Sequence, residues 1–253
     1  MNLIMENWRR FINESLNENL KIETLGLNAY QEFNGINITL VDLSSVQAPE
    51  TPMVIGMIET SVTDKPCIPK THEVGVVAVH PSAVGKGIGT YLYEVAALFV
   101  LKNYDGGITS DHLASTTIPA ANIWKKLENS LGYVKRKTDP GSEEYNEDGE
   151  IIGGSDTLDY NNSTPDPNDD CTTVSDGKPA TDHSLQIPPE RISKIESTVM
   201  TQINNFDDYL TNIASNFDED AKNNILNDII KQANRLFTTE YNPKNVGIYG
   251  DNK

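Results

Sequence analysis

Residues 77–94 read VAVHPSAVGKGIGTYLYE. A β-branched run ends at Pro81, and Gly85, Gly87 and Gly89 follow within five positions. An apolar-periodic segment then opens at Ile88. The order predicts a strand, a tight loop and a helix in immediate succession. Glycines let such a loop curl until several backbone N–H groups converge. The first helical turn adds N–H groups with no intrahelical acceptor and a partial positive charge. Together they suit an anion such as a pyrophosphate. On loop composition alone, a plain strand-to-helix turn without a ligand stays equally open. Two common phosphate loops fail on spacing. Lys86 sits between Gly85 and Gly87 with no hydroxyl after it, unlike a nucleoside-triphosphate loop. Gly85-Lys86-Gly87-Ile88-Gly89 is GxGxG, where a dinucleotide turn needs GxGxxG.

Working outward, strand-like runs stand at 36–41 (INITLV), 54–59 (VIGMIE) and 74–79 (VGVVAV). The helix after the loop is expected to run to about Lys102, with Ile88, Leu92, Val95, Ala96 and Phe99 on its buried face. Asp105-Gly106-Gly107 marks a turn, and 108–112 (ITSDH) reads as a further strand. A second helix starts near Pro119 and stops at Gly132, and YVKRK resumes an extended run. Strands and helices alternate, so the fold class is α/β or α+β.

Charge is distributed unevenly. The 253 residues carry a formal net charge of −17. Residues 139–182 hold 13 Asp and Glu against one Lys, a net of −12. This balance argues against nucleic acid as a partner, because phosphate backbones are held by Lys and Arg. No run of 18 apolar residues exists, so no membrane span is expected. Cys67 and Cys171 lie far apart without zinc spacing; no metal site is expected, and reduced thiols in the cytoplasm are the plain reading.

The stretch EVGVVAVHPSAVGKGIGTYLYE resembles the acetyl-CoA-binding core of the GNAT (Gcn5-related N-acetyltransferase) superfamily: a strand ending V-x-P, then Q/R-x-x-G-x-G/A, then a long helix. Val79-His80-Pro81 closes the strand, and Gly87-Ile88-Gly89 supplies the G-x-G. The likeness is strong over about 73–102 and extends in layout over 21–137. It implies a central mixed sheet flanked by helices, and an acetyl-CoA-dependent N-acetyltransferase (an acyltransferase) acting on an unidentified amine. Val84, Gly85, Lys86, Gly87, Ile88, Gly89 and Thr90 are then the cofactor-binding loop. Ala78 and Val79 supply backbone donors for the oxyanion. Glu73, at the start of the core strand, is the candidate base that frees the amine of its proton. His72 and His80 are alternatives, and Asp111 and His112 are candidates for the substrate side. Two positions depart from the family pattern. Val84 stands where Gln or Arg is usual, and Trp124 stands where a Tyr often protonates the leaving thiolate. Indole N–H is not an acid at working pH, which leaves Tyr133 as the nearby phenol.

The ends differ in character. Residues 1–20 read as an amphipathic helix, with Leu3, Ile4, Trp8, Phe11, Ile12 and Leu16 on one face. This segment resembles the trimmed targeting segments of tailed-bacteriophage head proteins, with Ile12-Asn13-Glu14 and Leu16-Asn17-Glu18 as the triplets. That likeness implies a phage-encoded protein of the host cytoplasm or virion, with a head or protease partner. The acetyltransferase-like domain spans 21–187 and includes the loop-rich acidic stretch 138–187, whose end (DHSLQI) is expected to return as a strand. Residues 188–240 read as two helices. One carries Ile192, Ile195, Val199, Ile203, Phe206, Leu210 and Ile213; the other follows an Asp218 N-cap with Ile225, Leu226, Ile229, Ala233 and Leu236. The pair is a candidate dimer surface, and 241–253 a mobile tail. The competing reading is a non-catalytic virion or interaction protein on the same scaffold.

Overall fold

The computed structural model describes residues 24–32, 34–44, 46–47, 49–62, 70–110, 117–130, 144–145, 151–153 and 184–240. Strands β1 (Leu25–Glu32), β2 (Gly35–Asp42), β3 (Met53–Val62), β4 (His72–Val79) and β5 (Ile108–Ser110) form one sheet in that order. β1 and β2 are an antiparallel hairpin, in register from Leu25 opposite Asp42 to Glu32 opposite Gly35. β4 and β5 run parallel, pairing His72 with Ile108, Glu73 with Thr109 and Val74 with Ser110. The sheet is therefore mixed, as expected for the α+β class. β6 (Glu144–Tyr145) and β7 (Ile151–Gly153) make a separate antiparallel pair. The helices are α1 (Ile88–Tyr104), α2 (Ile118–Ser130), α3 (Pro189–Asn216) and α4 (Glu219–Glu240).

Strand β1 was not anticipated. Its sequence LGLNAYQE mixes apolar and polar residues without a strict period, and its pairing with β2 completes its hydrogen bonds. The return of the acidic stretch to the sheet is a single bridge: Ile108 N–H donates to Leu185 O (2.9 Å) and Leu185 N–H to Ile108 O (2.8 Å). The expected N-terminal helix, the run at 133–137, the tail after 240 and most of the acidic stretch lie outside the described residues.

Among the described residues, one compact unit gathers those up to Glu59, Val76–Ala96 and the helices α3 and α4. Its core joins Val41 of β2, Val54 and Met57 of β3 and Ala78 of β4 to Phe206, Leu210 and Ile213 of α3 and Ile225, Ile229 and Ala233 of α4. Pro189 opens α3 with its fixed φ and missing N–H where neither costs a helical bond. Asp218 caps α4 as expected, its Oδ1 accepting Ala221 N–H at 2.7 Å. Gly56 brings α1 close to β3: a Cβ there would stand 2.9 Å from Ile88 Cγ2 and from Leu92 Cδ1.

Two apolar faces differ from expectation. α1 is buried nearly all round: Tyr91, Tyr93, Ala97 and Leu98 join Ile88, Leu92, Val95 and Ala96, while Phe99 is only half-buried. In α3 the buried stripe is Arg191, Ile195, Val199, Gln202, Phe206, Leu210 and Ile213. Arg191 and Gln202 occupy the places expected for Ile192 and Ile203, both of which are half-buried.

The second unit comprises the described residues within Thr60–Gly75 and Ala97–Pro188. Here Trp124 and Leu127 of α2 are fully buried. Thr71 and Ser184 share a 2.6 Å hydroxyl–hydroxyl bond, and Gln186 Nε2 donates to Gly106 O at 2.9 Å.

Candidate functional site

Past β4 the chain makes a short 3₁₀ turn, Pro81–Ala83. His80 shapes it. Its N–H donates to Ile55 O at 2.9 Å, its carbonyl accepts Ala83 N–H at 2.8 Å, and its Nδ1 lies 3.3 Å from Ser82 N and 2.8 Å from Ser82 Oγ. Lys86 N–H then donates to Ala83 O at 3.3 Å. Gly85 and Gly87 take φ of 78° and 82°, the left-handed region that side chains resist. A Cβ on Gly85 would meet no atom within 4 Å, so conformation, not space, calls for glycine there. Gly87 O accepts Tyr91 N–H at 3.0 Å. That first bond leaves the N–H groups of Ile88, Gly89 and Thr90 without intrahelical acceptors. No acidic residue stands in the first turn of α1, so the positive end of its dipole is not offset there.

β4 itself is irregular. His72 N–H donates to Gly107 O, toward β5, at 3.0 Å. His80 N–H, eight residues on, points to Ile55 on β3. In a regular strand, residues an even number apart turn their N–H groups the same way. The peptide direction therefore reverses between them. Within the described residues, the ladder with β5 ends at Val74. Beyond it Gly75 is exposed and Val76, Val77 and Val79 are half-buried. These are wet surroundings for the fourth strand in an order of five.

The loop residues expected to bind lie together at the end of β4 and the start of α1. Val84 is 64% exposed at the loop tip. Gly85 is exposed; Lys86, Gly87, Gly89 and Thr90 are partly exposed; Ile88 is buried. Ala78 is buried in the apolar cluster. Glu73 is half-buried near the start of β4, roughly 20 Å along the strand from Val79 at about 3.3 Å per residue. His72 is fully buried, its Nδ1 3.1 Å from Thr60 Oγ1 and its ring 4.5 Å from that of Tyr104. Burial holds its pKa down to about 4, so the ring is neutral near pH 7 and shielded from solvent. Trp124 is a core residue at 1% exposure. Tyr133, Asp111 and His112 lie outside the described residues. Burial pushes the Tyr91 and Tyr93 phenols up, with Glu94 adding to the effect on Tyr91, so neither is a ready acid.

Sequence reading missed three features beside this site. Tyr91 O–H donates to Gln202 Oε1 at 2.6 Å, and Arg191 pairs with Glu94. The spacing 191, 195, 199, 202, 206 is itself helical, and it was the signal available. Thr109 is the third, a buried hydroxyl beside Glu73 in the ladder.

A strand that feeds a left-handed glycine loop at a helix N-terminus defines a class of site for a ligand bearing an anionic group. Residues 7–127, just under half of the chain, match the family described as acetyltransferase (GNAT). The match begins inside the segment expected as the N-terminal helix and ends in α2. No curated protein and no solved structure matches the chain. Among the described residues no helix is long and apolar enough to cross a membrane, and no cluster of three His, Cys, Asp or Glu could hold a metal ion.

Proposed function

We propose that this chain is a GNAT-type N-acetyltransferase that moves an acetyl group from acetyl-CoA to an amine. The observation that carries the reading is the pair of left-handed glycines, Gly85 and Gly87, between the end of β4 and the N-terminus of α1. In this reading the pyrophosphate lies on the N–H groups of the loop and of Ile88, Gly89 and Thr90. Lys86 adds a point charge. The pantetheine arm runs beside the far half of β4, where an extended amide chain can pair with a strand.

The chemistry follows from the residues at hand. Glu73 takes a proton from the acceptor amine. The nitrogen attacks the thioester carbonyl, a C–N bond forms, and the carbonyl oxygen becomes an oxyanion. Val79 lies roughly 20 Å along β4 from Glu73 and Ala78 one residue nearer, so an amine whose proton goes to Glu73 is served by a backbone donor closer to the start of the strand than either. The nitrogen sheds its remaining extra proton to solvent, and collapse of the intermediate breaks the C–S bond to give the neutral amide and a CoA thiolate. An ordinary thiol has a pKa near ~8.5, so the thiolate departs without an acid and takes its proton from solvent. A buried Trp124 in place of a tyrosine acid is therefore compatible with turnover.

A second reading keeps the scaffold without turnover, as a virion or interaction protein. It is favoured by the exposed Val84 and the core position of Trp124. Calorimetric titration with acetyl-CoA separates the two. The enzyme expects micromolar binding, about −8 kcal/mol, lost in Gly87→Trp and kept in Glu73→Gln, with CoA release lost in Glu73→Gln. No binding to the wild type sinks the enzyme reading.

A further inference from the structure

Three buried side-chain atoms among the described residues have no hydrogen-bond partner: His72 Nε2, Thr109 Oγ1 and Gln202 Nε2. Two have local accounts. The amide of Gln202 is oriented by Tyr91 O–H on its oxygen. His72 is a neutral ring seated on Tyr104 with its other nitrogen engaged by Thr60. The Thr109 hydroxyl has none, although a buried hydroxyl without a partner is costly, by about 1–3 kcal/mol.

The β4–β5 register supplies a reason. Thr109 is the direct lateral partner of Glu73. In a parallel pair, partners project to the same face, with strands about 4.8 Å apart. A threonine hydroxyl beside a longer carboxylate lies within one side-chain rotation of it. Glu73 is half-buried, while Thr109 is fully buried. The hydroxyl is therefore kept dry beside Glu73, the one ionisable group on that face among the described residues of the ladder.

We infer that Thr109 is a positioning residue for Glu73: during turnover its hydroxyl donates to the ionised carboxylate and directs it toward the acceptor nitrogen. The inference rests on the acetyltransferase reading. A hydrogen bond to the ionised form favours that form, so Thr109 keeps the base ionised to lower pH. No bond is made or broken by Thr109 itself.

The test uses the full chain with Thr109→Val and Thr109→Ser, acetyl-CoA as donor, and spermidine, a lysine-containing peptide and a peptide with a free α-amino end as acceptors. Thr109→Val is expected to melt no lower than the wild type, because it removes an unpartnered hydroxyl without changing shape. It is expected to bind acetyl-CoA as the wild type does. Its kcat/KM should fall about tenfold on the acid side of the pH profile, with the acid limb moved up by about one pH unit. Thr109→Ser should restore the wild-type limb. An active wild type with an unshifted Thr109→Val profile overturns this inference alone. So does a Thr109→Val that melts well below the wild type or fails to fold, since the hydroxyl then had a structural partner. A wild type that turns over none of the three acceptors overturns this inference and the acetyltransferase reading together.

Discussion

Arg191 at the start of α3 forms an ion pair with Glu94 in the second turn of α1, with side-chain exposures of 8% and 13%. Together with the bond from Tyr91 to Gln202 it ties the C-terminal helix to the helix whose N-terminus carries the glycine loop. Burial raises the Glu94 carboxyl above its ordinary value, and Arg191 and Lys194 offset part of that rise. The pair is thus a device for fixing α1 against α3 more than a large source of stability.

The two halves of this pair should not be equivalent. Glu94→Leu leaves a guanidinium that cannot shed its proton, and it is expected to cost about 3–5 kcal/mol at any pH from 5 to 8. Arg191→Met leaves a carboxyl that can take up a proton. Its pKa is then raised further, so folding favours the protonated form. That contribution is complete below the unfolded value near 4.5 and is lost as pH rises through the folded one. Urea denaturation should therefore show Arg191→Met growing more costly as pH rises above 4.5. Equal and pH-independent costs for the two variants would contradict this account.

His72 should give the opposite slope. Its folded pKa is depressed from 6.5 to about 4 by burial. The unfolded chain binds the proton first, so the stability from the neutral ring is present above pH 6.5 and is lost as pH falls toward 4. His72→Phe, which keeps a flat ring against Tyr104, is expected to flatten the stability profile across that window. Thermal melts at half-unit intervals read it directly, and an unchanged slope would remove His72 from the acid response.

Gly85 separates conformation from space. An added Cβ meets nothing, so only φ of 78° opposes a side chain. Gly85→Ala is expected to cost about 1 kcal/mol, and Gly85→Asn less, because asparagine enters the left-handed region more readily. Acetyl-CoA affinity should fall in the same order. A loss in both variants alike would point to steric exclusion of the ligand by any side chain.

Trp124 is predicted to act in the core and not in the chemistry. Trp124→Ala should cost about 3–5 kcal/mol by leaving a large cavity. Trp124→Tyr should reduce stability by less, without adding an acidic limb to the pH–rate profile, because the side chain remains in the core. A gain in kcat for the tyrosine variant would show that this position reaches the leaving group.

Residues 77–94 announced the strand, loop and helix in chain order because local chemistry alone sets them: β-branched residues for the strand, glycines for the positive φ, apolar spacing for the helix. The Asp218 cap and the core faces of α4 were legible for the same reason. What tertiary structure decided was which residues share a partner. Arg191 and Gln202 lie inward in place of Ile192 and Ile203 because Glu94 and Tyr91, about a hundred residues earlier in the chain, present polar groups to that face. Strand β1 exists because β2 satisfies its backbone. The reversal within β4 depends on Gly107 to one side and Ile55 to the other, and Thr109 meets Glu73 only through the parallel register. The helical spacing of 191, 195, 199, 202 and 206 marks a buried face, but none of these pairings can be read from one segment, because each is a relation between segments and not a property of either one.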